Sequence, residues 1–162
     1  MNAGTKKTAA QRTVDDDTAV ELWGRVIRGF EATNGRVHAA IKAAFSLNPA
    51  EAQTMLQLGG DPRRRAPMNT LARAASFTSG GFTKIADKLE NRGLAVRTAC
   101  AEDRRVTYLE LTPAGVEIAA ELRCLVADIN RSQFVAVLGA ERATLVADAM
   151  LELYGANGTS GA

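Results

Sequence analysis

Between Thr78 and Leu111 the hydrophobic repeat changes from the period of a helix to that of a strand, and the change falls on one glycine, Gly93. Before it, Phe82, Ile85, Ala86 and Leu89 recur at spacings of three and four, with Ser79, Thr83, Lys84 and Lys88 towards the other side. That pattern predicts an amphipathic helix over about residues 79–92. After it, residues 94–98 and 106–111 are short runs of β-formers separated by polar residues around Ala101-Glu102-Asp103-Arg104, which predicts a hairpin. Gly93 can take the left-handed conformation that closes a helix, with Leu94 packing back on it. Upstream, Ser76-Phe77-Thr78 reads as a tight turn with Thr78 as N-cap, preceded by a short helix over about residues 68–75.

Helical patterns flank this segment. Val20, Trp23, Ile27, Phe30, Val37, Ile41 and Phe45 mark one face of a long first helix, residues 17–45, in which Asn34-Gly35 predicts a weak point or kink. Asn48-Pro49-Ala50-Glu51 is a helix start in which Asn48 caps, Pro49 fits the first turn and Glu51 reaches back. This second helix is expected to reach about residue 58, with Gly59-Gly60-Asp61-Pro62 ending it and residues 63–68 forming a basic connector. Thr112-Pro113 starts another helix carrying Val116, Ala119, Leu122, Val126 and Ile129, and after a break at 130–139 a last helix holds Leu145, Val146, Ala149, Met150 and Leu153. Thirty alanines and only 5% aromatics suit close-packed helices better than a sheet sandwich, and 162 residues suffice for one core.

The expected fold is therefore mostly α: two helices, an optional short strand, two helices, a two-stranded hairpin, then two helices. Two short helices with a tight turn and an arginine-rich hairpin make a winged helix-turn-helix. Its second helix fits the major groove and its hairpin reaches sideways to phosphates or the minor groove.

The charge distribution agrees with that reading. The net charge is only +2, yet residues 61–105 carry ten Arg/Lys against five Asp/Glu, near +5, while the remainder is near −3. The middle of the chain is thus suited to face a polyanion, double-stranded DNA. Two cysteines and one histidine are too few for a disulfide framework or a Cys/His zinc site, so neither metal nor cofactor is expected. Nucleophile elbow, phosphate loop and Ser/Cys-His-acid patterns are absent, which argues against an enzyme. The N-terminal stretch has no apolar run of the length a secretion signal or membrane span needs, so a cytoplasmic location without membrane contact is expected.

Leu71-Ala72-Arg73, the run from Phe77 through Gly80, Gly81 and Asp87-Lys88-Leu89-Glu90, then Arg92-Gly93-Leu94, Asp103-Arg104-Arg105, Leu109-Glu110-Leu111-Thr112 and Gly115 resemble the MarR family of bacterial transcription regulators. The resemblance covers roughly residues 68–115. It implies an obligate homodimer whose terminal helices interlock, a recognition helix at about 78–91, a wing at about 96–111, and often a small-molecule pocket between the two regions. The domain plan that follows has flexible tails at 1–15 and 155–162, a helical dimerisation region from 16–47 and 113–154, and a DNA-binding winged helix-turn-helix at 48–112. In the family the wing arginine, here Arg105, enters the minor groove while the aspartate, here Asp103, orients it. Two departures are that Ser76 stands where a glycine is usual, and that Gly80 and Gly81 replace longer polar residues and reach bases only through backbone.

Candidate DNA contacts are Thr78, Ser79, Thr83, Lys84, Lys88, Arg97, Asp103, Arg104 and Arg105. Thr78 is also explained as a cap, and Arg63-Arg64-Arg65 equally as a solvated loop. Trp23, Ile27, Phe30, His38, Phe45 and Met55 either line a pocket for an aromatic or phenolic effector, or serve core and dimer packing with no ligand. Cys100 lies among Arg97, Arg104 and Arg105, surroundings that favour a thiolate and a redox-responsive regulator, or it is simply a small hairpin residue. Cys124, beside Leu122, Leu125 and Val126, is expected to be buried and inert. The function expected is a sequence-specific regulator, by family habit a ligand-responsive repressor on an inverted-repeat operator. A winged-helix module that contacts only protein is the alternative.

Overall fold

The computed structural model describes residues 14–75, 79–103 and 105–158, Ser79 by its backbone only. Its elements in chain order are α1 (Asp16–Phe45), α2 (Pro49–Gly60), β1 (Arg65–Pro67), α3 (Met68–Ala74), α4 (Ser79–Asn91), β2 (Ala95–Ala99), β3 (Thr107–Leu111), α5 (Pro113–Asn130), α6 (Ala136–Leu138) and α7 (Ala140–Asn157). A π-helical turn, Arg131–Val135, lies between α5 and α6. The chain divides into two compact units, residues 1–35 and 36–162.

In the first unit α1 begins behind Asp15, whose carboxylate accepts from the Thr18 backbone N–H at 2.8 Å. That hydrogen bond holds the Asp15 carboxyl below the usual carboxylate range, and Asp16 and Asp17 follow at the positive end of the helix dipole. Val20, Leu22, Trp23 and Phe30 are all exposed on this stretch. The helix runs without a break through Asn34-Gly35, although the division between the units falls there.

In the second unit the local signals act as the sequence predicts. Asn48 and Glu51 form the full capping box: Glu51 N–H donates to Asn48 Oδ1 at 3.0 Å, and Asn48 N–H to Glu51 Oε2 at 3.0 Å. Such a cap contributes about 1 kcal/mol. Thr112 caps α5, accepting from Gly115 N–H at 3.0 Å. Gly93 has φ +68°, and the Leu94 and Gly93 N–H groups reach back to the Leu89 and Glu90 carbonyls at 2.9 and 2.8 Å. These two bonds are the six-to-one and five-to-two pair that ends a helix on a left-handed glycine.

Phe82, Ile85, Ala86 and Leu89, the predicted inner face of α4, are all buried. They join Val37, Ile41, Leu47, Met55, Leu58, Leu71, Leu109 and Leu122 in one core. Each fully buried large side chain there contributes about 1.5–3 kcal/mol relative to exposure. The helices α2 and α5 approach closely, since a methyl on Gly59 would stand 2.9 Å from Ala119 Cβ.

Three expectations are corrected, while the optional short strand is present within the basic connector: Arg65, Ala66 and Pro67 pair with Glu110, Leu109 and Tyr108, giving an antiparallel sheet of order β1-β3-β2. Pro67 is tolerated because β1 is an edge strand, where a missing N–H need break no ladder. Residues 130–139 are no break, because helical turns continue from α5 to Leu138 and stop only at Gly139, φ +79°. Gly155 to Asn157 belong to α7 and not to the tail, with Asn157 Nδ2 donating to the Leu153 carbonyl at 2.9 Å. Cys124 is exposed. It lies two residues beyond buried Leu122, about 200° round the helix and so on the opposite face.

Candidate nucleic-acid interface

The inner face of α4 is fixed in the core, so its other face is set by geometry: Gly80, Thr83, Lys84, Asp87 and Lys88 are exposed. Lys88 leans towards α2, with its Nζ 3.5 Å from Glu51 Oε1 of the capping box. Thr78 and Arg104 lie outside the described residues, as does the side chain of Ser79.

The wing is built by β2 and β3 in register from Ala95↔Leu111 to Ala99↔Thr107. Its tip is closed by two backbone bonds, Cys100 N–H to the Val106 carbonyl at 3.0 Å and Val106 N–H to the Asp103 carbonyl at 2.9 Å. Asp103 accepts three times from Arg105: from the backbone N–H at 3.0 Å, from Nε at 3.1 Å and from Nη2 at 3.1 Å. The fork-on-carboxylate geometry fixes the guanidinium plane. The guanidinium is nonetheless open, the Arg105 side chain being 90% exposed. Arg105 beside Asp103 holds that carboxyl below the usual carboxylate range, the side-chain hydrogen bond acting first and the backbone one second.

Arg105, Val106 and Thr107 of the wing border a small cavity of about 230 Å³ with Met68, Asn69, Phe82 and Thr83. The start of α3, the exposed side of α4 and the wing tip therefore lie together on one surface. Arg97 is turned elsewhere: its guanidinium binds Asp87 and Glu90, leaving the side chain 27% exposed. Arg65 lies over the Tyr108 ring, 4.9 Å from its centroid, while Arg63 and Arg64 are exposed. Cys100 is half-buried.

Of the six residues considered for an effector pocket, His38 lines an open groove of about 580 Å³ with Lys42, Leu47, Asn48, Glu51 and Lys88 among its walls. Met55 is fully buried in the core and Phe45 is packed against it. Trp23, Ile27 and Phe30 are exposed on the part of α1 that belongs to the other unit.

Three residues whose roles sequence reasoning missed support this surface. Arg92 donates to the Phe45 and Ser46 carbonyls at 2.7 and 3.2 Å, closing the end of α1 from the end of α4. Thr112 Oγ1 donates to the Gly93 carbonyl at 2.6 Å. Gly115 has no space for a side chain, because a Cβ there would stand 1.9 Å from the Leu94 carbonyl oxygen. The spacing from Gly93 to Thr112 and Gly115 was readable in the sequence, but nothing local marked it as a contact.

Residues 45–106 match the sequence profile of the MarR family. The chain is 27% identical over 108 residues to the HTH-type transcriptional regulator MhqR of Bacillus subtilis, covering 65% of this chain and 71% of that protein. In fold it is similar to Sco3205, a MarR family regulator from Streptomyces coelicolor solved in complex with DNA, with TM-score 0.81, 20% identity, and 93% and 94% of the two chains covered. It is also similar to NadR in complex with 4-hydroxyphenylacetate, with TM-score 0.67, 23% identity and coverage of 94% and 97%. A winged helix-turn-helix fold whose residues 45–106 match the MarR family profile, in a chain similar to a curated transcriptional regulator, makes the MarR family of transcriptional regulators what this protein most resembles.

Proposed function

We propose that the protein is a homodimeric, effector-responsive repressor that binds an inverted-repeat operator in the cytoplasm. The observation that carries this reading is the wing tip, where Arg105 is held by Asp103 in a fixed plane yet 90% exposed, beside the outer face of α4. A pre-oriented, always-charged guanidinium suits a narrow A·T-rich minor groove, while Thr83 and Lys84 face the adjacent major groove. Thr78, Ser79, Lys88 and Arg104 are further contacts expected from the sequence, whereas Arg97, expected as a contact too, is bound to Asp87 and Glu90.

The apolar faces at the two chain ends support the dimer. Val20, Trp23 and Phe30 are exposed on α1, and Leu145, Leu151 and Tyr154 on α7. Faces of that size are normally covered by a partner, and a two-fold pair of reading heads matches an inverted repeat. A small aromatic or phenolic acid as effector is supported by NadR, solved with 4-hydroxyphenylacetate. Such a ligand acts by binding the spacing of the heads that does not fit DNA better than the one that does, typically by about 1–3 kcal/mol.

Footprinting on DNA recovered by genomic pull-down tests the reading. Two protected half-sites about 34 Å apart are expected, and a single asymmetric half-site, or a monomer by light scattering at micromolar concentration, refutes it.

A further inference from the structure

We propose that Arg97 is a positioning residue for the DNA-reading surface, acting through α4 and not through DNA. The inference rests on the reading of α4 and the wing as the DNA-facing surface. Arg97 sits on β2, the outer strand of the wing. Its backbone N–H donates to Glu90 Oε1 at 2.7 Å. Its Nη1 binds Glu90 Oε2, and its Nη2 donates both to Asp87 Oδ1 at 2.7 Å and to the Thr83 carbonyl at 3.1 Å.

Residues 83, 87 and 90 are spaced four and three apart, one side of a single helix. The side chain therefore spans from the wing strand across two turns of the recognition helix, and both terminal nitrogens of its planar fork are committed there. Arg97 is 27% exposed where Arg105 is 90% exposed. Two wing arginines eight residues apart thus have opposite orientations, one gripping the protein and one offered outward.

Two consequences follow from this geometry. The angle between α4 and the wing is fixed by a side-chain link as well as by the short Arg92-Gly93-Leu94 turn, so major-groove and minor-groove elements approach DNA as one body. Arg97 also offsets one of the two negative charges that Asp87 and Glu90 place on an element that must approach phosphates. A lysine would supply the charge but not the planar fork that meets two carboxylates and a carbonyl together.

The test is operator binding by fluorescence anisotropy, on the full chain, across about 50–200 mM salt, a range in which phosphate contacts declare themselves in the slope. An unrelated duplex of equal length and the variant Arg105→Ala run alongside. Arg97→Lys and Glu90→Gln are expected each to weaken operator binding about five- to ten-fold with the wild-type salt slope, as loss of a charge-assisted hydrogen bond would. Hydrogen exchange at the wing amides should quicken in both. Glu90→Gln removes a negative charge near a polyanion, so simple electrostatics expects the opposite sign. Asp87→Asn, at a half-exposed position, repeats the test on a variant that keeps the fold.

Unchanged or tighter binding by Glu90→Gln and Asp87→Asn overturns the proposal, as does an Arg97→Ala slope lower by about one, the mark of a lost phosphate contact. If Arg105→Ala also binds normally, the reading of the wing has failed. If Arg105→Ala weakens binding while Glu90→Gln does not, only the role of Arg97 has failed.

Discussion

Replacing Gly115 by alanine opposes two effects of known size. Alanine in place of glycine inside a helix ordinarily gains up to about 1 kcal/mol. Here the added Cβ would stand 1.9 Å from the Leu94 carbonyl oxygen and 2.9 Å from its carbon. The first approach is roughly 1.5 Å short of the distance at which non-bonded heavy atoms settle. The obstacle is backbone, held by Thr112 N–H donating to the same Leu94 oxygen at 3.1 Å and Thr112 Oγ1 donating to the Gly93 carbonyl at 2.6 Å. Overpacking costs about 1–3 kcal/mol. Moving the α5 end away forfeits both bonds at about 1 kcal/mol each. After the propensity gain, Gly115→Ala should lose about 2–4 kcal/mol. Urea unfolding followed by circular dichroism at fixed protein concentration measures it, with Gly80→Ala as control because nothing lies within 4 Å of a Cβ there. The control should be neutral or slightly stabilised. If Gly115→Ala is as stable as wild type, the close approach of α5 to the Gly93-Leu94 turn is not as described.

Three further outcomes are expected. Asp103→Ala should weaken operator binding although it removes a negative charge near DNA, because Arg105 loses its orienting partner; tighter binding in anisotropy would leave the wing as a mere phosphate clamp. In an NMR titration, the Asp103 carboxyl should titrate below the usual carboxylate range and rise part of the way back in Arg105→Ala, which loses the side-chain hydrogen bonds and keeps the backbone one. Since its folded pKa is lowered, whatever the pair adds to wing order is complete above the ordinary carboxylate value and lost only as pH falls through the depressed one. Gly59→Ala should cost about 1–3 kcal/mol against Ala119, and Gly59→Ala with Ala119→Gly should recover most of it in the same urea assay.

The parts of this structure legible in the sequence are those whose partners lie within a few residues. The Asn48–Glu51 box, the Thr112 cap and the left-handed Gly93 each close within one turn of chain, so residue type and spacing identify them, while the equally local Asp103–Arg105 pair was implied by the family resemblance. The inner face of α4 was equally legible, because periodicity states which positions are buried whatever buries them. What escaped depends on distant chain. The strand at residues 65–67 could be no more than optional from the sequence, because it forms on the edge of β3, more than forty residues on. Arg97 carries the same charge as its neighbours, and only its place on β2 beside α4 commits it to Asp87 and Glu90. An apolar stripe on a helix, such as Trp23, Ile27 and Phe30 on α1, likewise does not reveal what it faces.

The hydrogen bonds at Thr112 give the wing an unusual mechanical property. Its N–H meets the Leu94 carbonyl, and its hydroxyl donates to the Gly93 carbonyl while accepting from Gly115. The hairpin thus leaves and re-enters the body of the protein at a single riveted point. A tilt of α5 cannot be absorbed as slack in a connecting loop, because the exit of α4 and the entry of α5 are the same joint. The two helices behave as arms of one crank, and whatever turns one arm turns the other.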